Sequence, residues 1–181
     1  MDENLRKLAH MVFGLGIAVL VAFVDREVLL PLLAGAVLGG LMFSDAIARG
    51  YRVPLISPLV DRLERKDVIP GQGALFFTIS VLICLIFFSK ENVFLAVVVL
   101  SVLDGAATIA GKAWGRTRIF QGKSLEGSLV GVVLAIMVLV WFLPWVKGFQ
   151  IALFAGLVEL ISPVDDNLTI PGATCLLLEF L

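Results

Sequence analysis

The sequence predicts an all-α fold, a polytopic bundle of about seven membrane-crossing helices forming one integral membrane domain over residues 1–181. Three observations predict it. Hydrophobic residues make up 60% of the chain and charged ones only 16%, against about 25% charged in ordinary soluble domains. The apolar residues gather into runs near the ~20-residue length that crosses a hydrocarbon core. Lys and Arg fall mostly into alternate loops, as they do around membrane spans. With a mean hydropathy of +1.04, the composition disfavours a soluble globule, a disordered chain, a nucleic-acid binder and a secreted disulfide scaffold.

The first apolar run, Leu8 to Val24, follows Arg6 and Lys7. His10 interrupts it and Phe23-Val24-Asp25 makes a poor cleavage site, so it is expected to remain as an uncleaved helix. Further runs cover Val28 to Ala48, Gln72 to Phe88, Val93 to Ala113 and Leu125 to Leu143. Two shorter ones, Gly148 to Ser162 and Leu168 to Leu181, adjoin or contain Pro163 and Pro171 and read either as crossings or as broken helices meeting at a polar loop. Cys84 and Cys175 both lie inside apolar runs without metal-ligand spacing, so they are expected to be inert buried thiols.

If seven helices alternate, one side receives Arg6, Lys7, Arg49, Arg52, Arg62, Arg65, Lys66, Lys112, Arg116, Arg118 and Lys123, and the other only Arg26, Lys90 and Lys147. That bias places the rich side and the N-terminus in the cytoplasm. The loop Asp165-Asp166-Asn167 falls on the same side. Asn167-Leu168-Thr169 matches a glycosylation acceptor, but on that side it is expected to stay unmodified.

Ionisable groups inside membrane helices cost about 2.5–3.5 kcal/mol on insertion scales and are functional candidates by default. His10, Asp45, Asp104, Lys112, Glu126 and Glu159 lie in or at the edges of apolar runs. Asp104 stands about halfway along its run, and positions 104, 107 and 111 share a helical face. Lys112, Arg116 and Lys123 follow, then Ser124, Glu126, Gly127 and Ser128. Ala107, Gly111 and Gly115 fit a small-xxx-small spacing that Gly127 and Gly131 repeat, so the glycines taken alone read as helix-packing positions. Packing requires neither the buried acid nor the cations. The Walker spacing is missing, but the ingredients for holding phosphate are present: glycine N–H groups, cations, a hydroxyl and a carboxylate. The second cluster, Glu159 to Asp165-Asp166-Asn167 and Pro171, offers hard oxygens suited to magnesium, although the same residues also make exposed turns.

These blocks resemble the polyprenol kinase family, which includes dolichol, phytol and farnesol kinases and the yeast-type CTP-dependent diacylglycerol kinase. The likeness covers most of the chain: Arg6-Lys7-x-x-His10 with Gly14; a looser Arg62-x-Glu64 through Gly71 to Phe76-Phe77; Asp104 through Gly111-Lys112 and Gly115-Arg116 to Lys123-Ser124-x-Glu126-Gly127-Ser128; and Glu159 to Asp166-Asn167 and Pro171. The resemblance implies a kinase that uses CTP and magnesium to phosphorylate a lipid alcohol at the cytoplasmic face of the bilayer.

On that basis Lys112, Arg116, Lys123, Ser124 and the glycines Gly111, Gly115 and Gly127 would hold the triphosphate, and Arg6, Lys7 and His10 would complete the nucleotide pocket. Asp165, Asp166 and Glu126 would hold magnesium. Asp104 would orient or deprotonate the hydroxyl, or join the metal ligands; Glu64, Glu159 and Asn167 are further site candidates without an assigned role. A cytidylyltransferase that releases pyrophosphate is the nearest alternative, and a small transporter or a structural subunit are alternatives of other classes. A transport path would need polar groups at both faces, whereas the far-side loops are short and nearly featureless. The many small residues also permit a helix-mediated homodimer.

Overall fold

The computed structural model describes residues 3–63 and 68–181; Glu64 lies outside them. Among the described residues there are eight helices: α1 (Glu3–Phe23), α2 (Arg26–Ala48), α3 (Ile56–Leu63), α4 (Gln72–Phe87), α5 (Lys90–Trp114), α6 (Leu125–Leu139), α7 (Trp145–Ile161) and α8 (Asp166–Phe180). Each of the seven apolar runs becomes one helix. Three of them, α1, α2 and α5, are long and apolar enough to cross a membrane by length and composition. The 15-residue α6 and α8 span only about 22 Å at 1.5 Å per residue, short of a hydrocarbon core of about 30 Å.

The chain departs from expectation at α3. The sequence marks no apolar run between Ala48 and Gln72, yet residues 56–63 form an eight-residue amphipathic helix against α1. Pro163 falls in the α7–α8 connection, and α8 continues unbroken through Pro171.

α5 is the axis of the bundle. Its neighbours are α1, α4, α6, α7 and α8, while α2 packs mainly on α4. Val97, Leu100 and Leu103 of α5 are fully buried with Phe77, Leu85, Ile151 and Ile170 from the surrounding helices. Both cysteines are free and buried, as their apolar surroundings predicted. Large apolar side chains also cover the outside, where Phe23, Met42, Trp141 and Leu176 are exposed. Such a surface suits lipid rather than water.

The α5–α6 contact shows why small residues recur. A Cβ on Gly131 would lie 2.7 Å from the Leu103 carbonyl, and one on Gly127 would lie 2.8 Å from Gly111 Cα. The two backbones therefore meet closely enough that no side chain fits between them. The N-terminal ends of α1, α4, α6 and α8 gather with the C-terminal ends of α5 and α7 at one end of the bundle. The polar sequence blocks belong to those ends.

Candidate active site

At this end of the bundle lies a cavity of about 630 Å³. Its walls come from α1 (Arg6, Lys7), α5 (Asp104, Gly111, Lys112), the α5–α6 connection (Arg118, Lys123, Ser124), α6 (Ser128), α7 (Glu159) and the start of α8 (Asp165, Asp166, Asn167). Most of the residues singled out from the sequence thus share one space.

Asp104 is only 3% exposed. Lys7 Nζ donates to both of its oxygens at 2.7 Å. His10 stands behind this pair, with Nε2 4.0 Å from Asp104 Oδ2 and the ring edge-on to Phe77 at 5.5 Å. His10 does not line the cavity, so the expectation that it completes the nucleotide pocket gives way to a place in the wall supporting Asp104.

The α5–α6 connection turns at Gln121 and Gly122, both with positive φ (48° and 81°). That turn is closed by Ile119 N–H donating to the Lys123 carbonyl at 2.9 Å and Leu125 N–H to the Thr117 carbonyl at 3.0 Å. Glycine carries such a φ without steric cost. The turn sends Lys123 across to α7 and α8, where Nζ donates to Asp166 Oδ1 at 2.6 Å and to the Glu159 carbonyl. Burial and the like charges of Asp104 and Glu159 outweigh Lys123 and push the Asp166 carboxyl up to about 6. Glu159 is 4% exposed, and its Oε2 accepts from Ser128 Oγ at 2.6 Å.

Five residues of this block, four expected at the triphosphate and Glu126 at magnesium, take other forms. Glu126 accepts from the Arg116 and Thr117 backbone N–H groups at 3.1 Å, and it lines the connection rather than the cavity. Its carboxylate shapes that loop, apart from the lining that Asp165 and Asp166 share. The Arg116 side chain is exposed and lies outside the cavity lining. Gly115 ends α5, its N–H donating to the Gly111 carbonyl, and Gly127 presses against α5. Ser124 lines the cavity, yet its hydroxyl caps α6 by accepting from Gly127 N–H at 3.1 Å.

Other residues enter the cavity without having been singled out as site candidates. Arg118 lies within the same cation run; its guanidinium donates to the carbonyls of Gly122 and Gly111. Ser128 follows Ser124 by one helical turn, and Thr108 follows Asp104 by one. Gln72 arrives from the start of an apolar run, and Gln121 from between Arg118 and Lys123.

Oxygen donors for a hard cation are available at the start of α8. Asp165 and Asp166 line the cavity, and Asn167 Oδ1 is buried without a hydrogen-bond partner. Asp165 Oδ1 accepts from Asn167 N–H at 3.0 Å. Among the described residues no cluster of three or more His, Cys, Asp or Glu forms a complete cage. Magnesium does not need one, since it is usually held by one or two carboxylates together with substrate phosphates. The donor set fits.

A phytol kinase from Synechocystis is 32% identical to this chain over 97% of its length, which spans 78% of that relative. The chain belongs to the polyprenol kinase family. This lipid kinase family member is an enzyme, a phosphotransferase with an alcohol acceptor. It is also similar to an uncharacterised protein of Methanocaldococcus jannaschii, at 32% identity over 94% of the chain and 90% of the relative. A CTP-dependent diacylglycerol kinase from Eremothecium gossypii shares 29% identity over 92% of the chain and 63% of that protein. No family model matches the chain. No solved structure matches it.

Proposed function

We propose that this chain is a CTP-dependent kinase that phosphorylates the hydroxyl of a lipid, an isoprenoid alcohol or a diacylglycerol-like acceptor, at the cytoplasmic face of the membrane. The observation that carries this reading is the convergence of Lys112, Lys123, Asp104 and Asp166 on one cavity at one end of an apolar bundle. A nucleotide stays in water and a long-chain alcohol stays in lipid, so their reaction needs a polar pocket at the boundary. In support of this orientation, the cation-rich loops lie at the cavity end, which the positive-inside bias assigns to the cytoplasm. Seven helices crossing as one domain, with the N-terminus inside, follow from the same assignment; the short ones do so across a locally thinned bilayer.

Phosphoryl transfer asks for in-line positioning and charge neutralisation. Arg6, Lys112, Arg118 and Lys123 neutralise the triphosphate. Asp165 and Asp166, with the Asn167 amide oxygen, would hold magnesium, which supplies charge neutralisation at the phosphates when bound. The Asp104–Lys7 pair orients the acceptor end of the cavity. The use of CTP rests on the names of the diacylglycerol kinase relatives.

The test is a nucleotide-by-alcohol matrix with purified protein, magnesium, four nucleoside triphosphates, and phytol, polyprenols and diacylglycerol. The expected result is a phosphorylated lipid with CDP as the other product. Pyrophosphate release with a CDP-lipid would make the protein a cytidylyltransferase, and no turnover of any pair would remove the enzymatic proposal.

A further inference from the structure

Two buried carboxylates face the cavity, and they differ in what holds them. Both oxygens of Asp104 accept from one ammonium, Lys7 Nζ, at 2.7 Å. A proton taken there would have to break that pair. Glu159 is held at one oxygen only, where Ser128 Oγ donates to Oε2 at 2.6 Å. Its Oε1 stands 3.9 Å from Lys123 Nζ, beyond hydrogen-bond reach. That ammonium is itself engaged by Asp166 Oδ1 and by the Glu159 carbonyl. Glu159 therefore combines burial, a fixed rotamer and an oxygen available to a hydroxyl. The charged groups facing it are Lys123 from the α5–α6 connection, Asp104 from α5, Lys7 from α1 and Asp166 from α8.

We infer that Glu159 is the catalytic proton acceptor for the lipid hydroxyl, that Ser128 is its positioning residue, and that Lys7 reserves Asp104 for orientation. This rests on the kinase reading above. In the step, the hydroxyl O–H bond breaks and its proton passes to Glu159 Oε1. The oxygen forms a new bond to the γ-phosphorus. The bond from that phosphorus to the β,γ-bridging oxygen breaks, and the nucleoside diphosphate leaves with the electron pair. Glu159 then returns the proton to solvent through the open side of the cavity.

The experiment compares wild type, E159Q, E159D and S128A in steady-state kinetics from pH 5.5 to 9, with the nucleotide and alcohol that the matrix identifies. General-base catalysis contributes roughly 10²–10⁴-fold. E159Q is expected to lower kcat about 100-fold or more while leaving the nucleotide KM within about threefold. The acid limb of the wild-type pH profile should lose its Glu159 component in E159Q, leaving the part that Asp166 sets. E159D, which keeps a carboxylate on a shorter arm, should retain that limb at a kcat reduced about tenfold. S128A should lower kcat severalfold without moving the nucleotide KM.

An E159Q enzyme within threefold of wild-type kcat, or one whose acid limb is unchanged from wild type, overturns the inference while the kinase reading stands. Should E159Q fail to fold, E159D decides, and wild-type kcat in E159D overturns the inference. Absence of any lipid phosphorylation by wild type defeats the kinase reading, and the inference falls with it.

Discussion

The two ends of the bundle use the same cations for different work. At the end away from the cavity, Arg26 donates to the Ile86 carbonyl at 2.8 Å, Lys90 to the Val24 carbonyl at 2.8 Å, and Lys147 to the Leu181 carbonyl. Each of these carbonyls lies at or just beyond the C-terminal end of a helix, α4, α1 or α8, where cations complement the dipole and carbonyls lack intrahelical partners. At the cavity end, Lys7 and Lys123 bind side-chain carboxylates, Asp104 and Asp166. A cation on a terminal carbonyl finishes a helix. A cation on a buried carboxylate shapes a charged pocket and fixes where each acid points.

This contrast can be broken most sharply at Asp104. D104N should cut lipid phosphorylation at least 100-fold, since it leaves the buried Lys7 ammonium without its charge partner; turnover with saturating nucleotide and alcohol measures it. A wild-type rate would remove Asp104 from the mechanism. The same pair should dominate stability. Removing one partner of a buried ion pair costs about 3–5 kcal/mol. K7A should therefore lower the midpoint of unfolding in detergent strongly, and K7A with D104N should be more stable than K7A alone.

Next in size is K123A, which subtracts one charge-assisted contact of about 1.5–3 kcal/mol. The nucleotide KM should rise about 10- to 100-fold, by the rule that 1.4 kcal/mol is tenfold. Between the two ends, G131V forces a side chain against the Leu103 carbonyl; overpacking of this kind costs about 1–3 kcal/mol, read as a lowered melting temperature. The smallest effect belongs to the far end. K90A should cost about 0.3–1 kcal/mol, the usual worth of a cation at a helix C-terminus, and should leave kcat and the nucleotide KM unchanged. A turnover defect in K90A would show that the two ends are coupled.

The seven apolar helices were legible because continuous apolar runs have few other uses. α3 was not, because its eight residues carry mixed charges and its apolar face shows only at helical spacing. In the site, the two charged blocks were readable as ionisable groups where apolar residues belong. Their division of labour was not. Glu126 and Ser128 sit two positions apart in one motif, yet one caps backbone N–H groups of the connection and the other holds Glu159 in the cavity. Spacing alone does not separate them, since the difference lies in which segment each side chain meets.

The sequence by itself determined that this chain is a helical membrane-type protein with acids and cations concentrated in alternate loops. Composition and periodicity are local properties, and the free energy of placing them in lipid or water is nearly a sum over residues. Only the tertiary structure decided that Lys7 answers Asp104, 97 positions away, that Lys123 answers Asp166, 43 positions away, and that Glu159 keeps an oxygen open. Those pairings depend on helix packing around α5, where glycines let backbones approach and so set which charges come within hydrogen-bond reach.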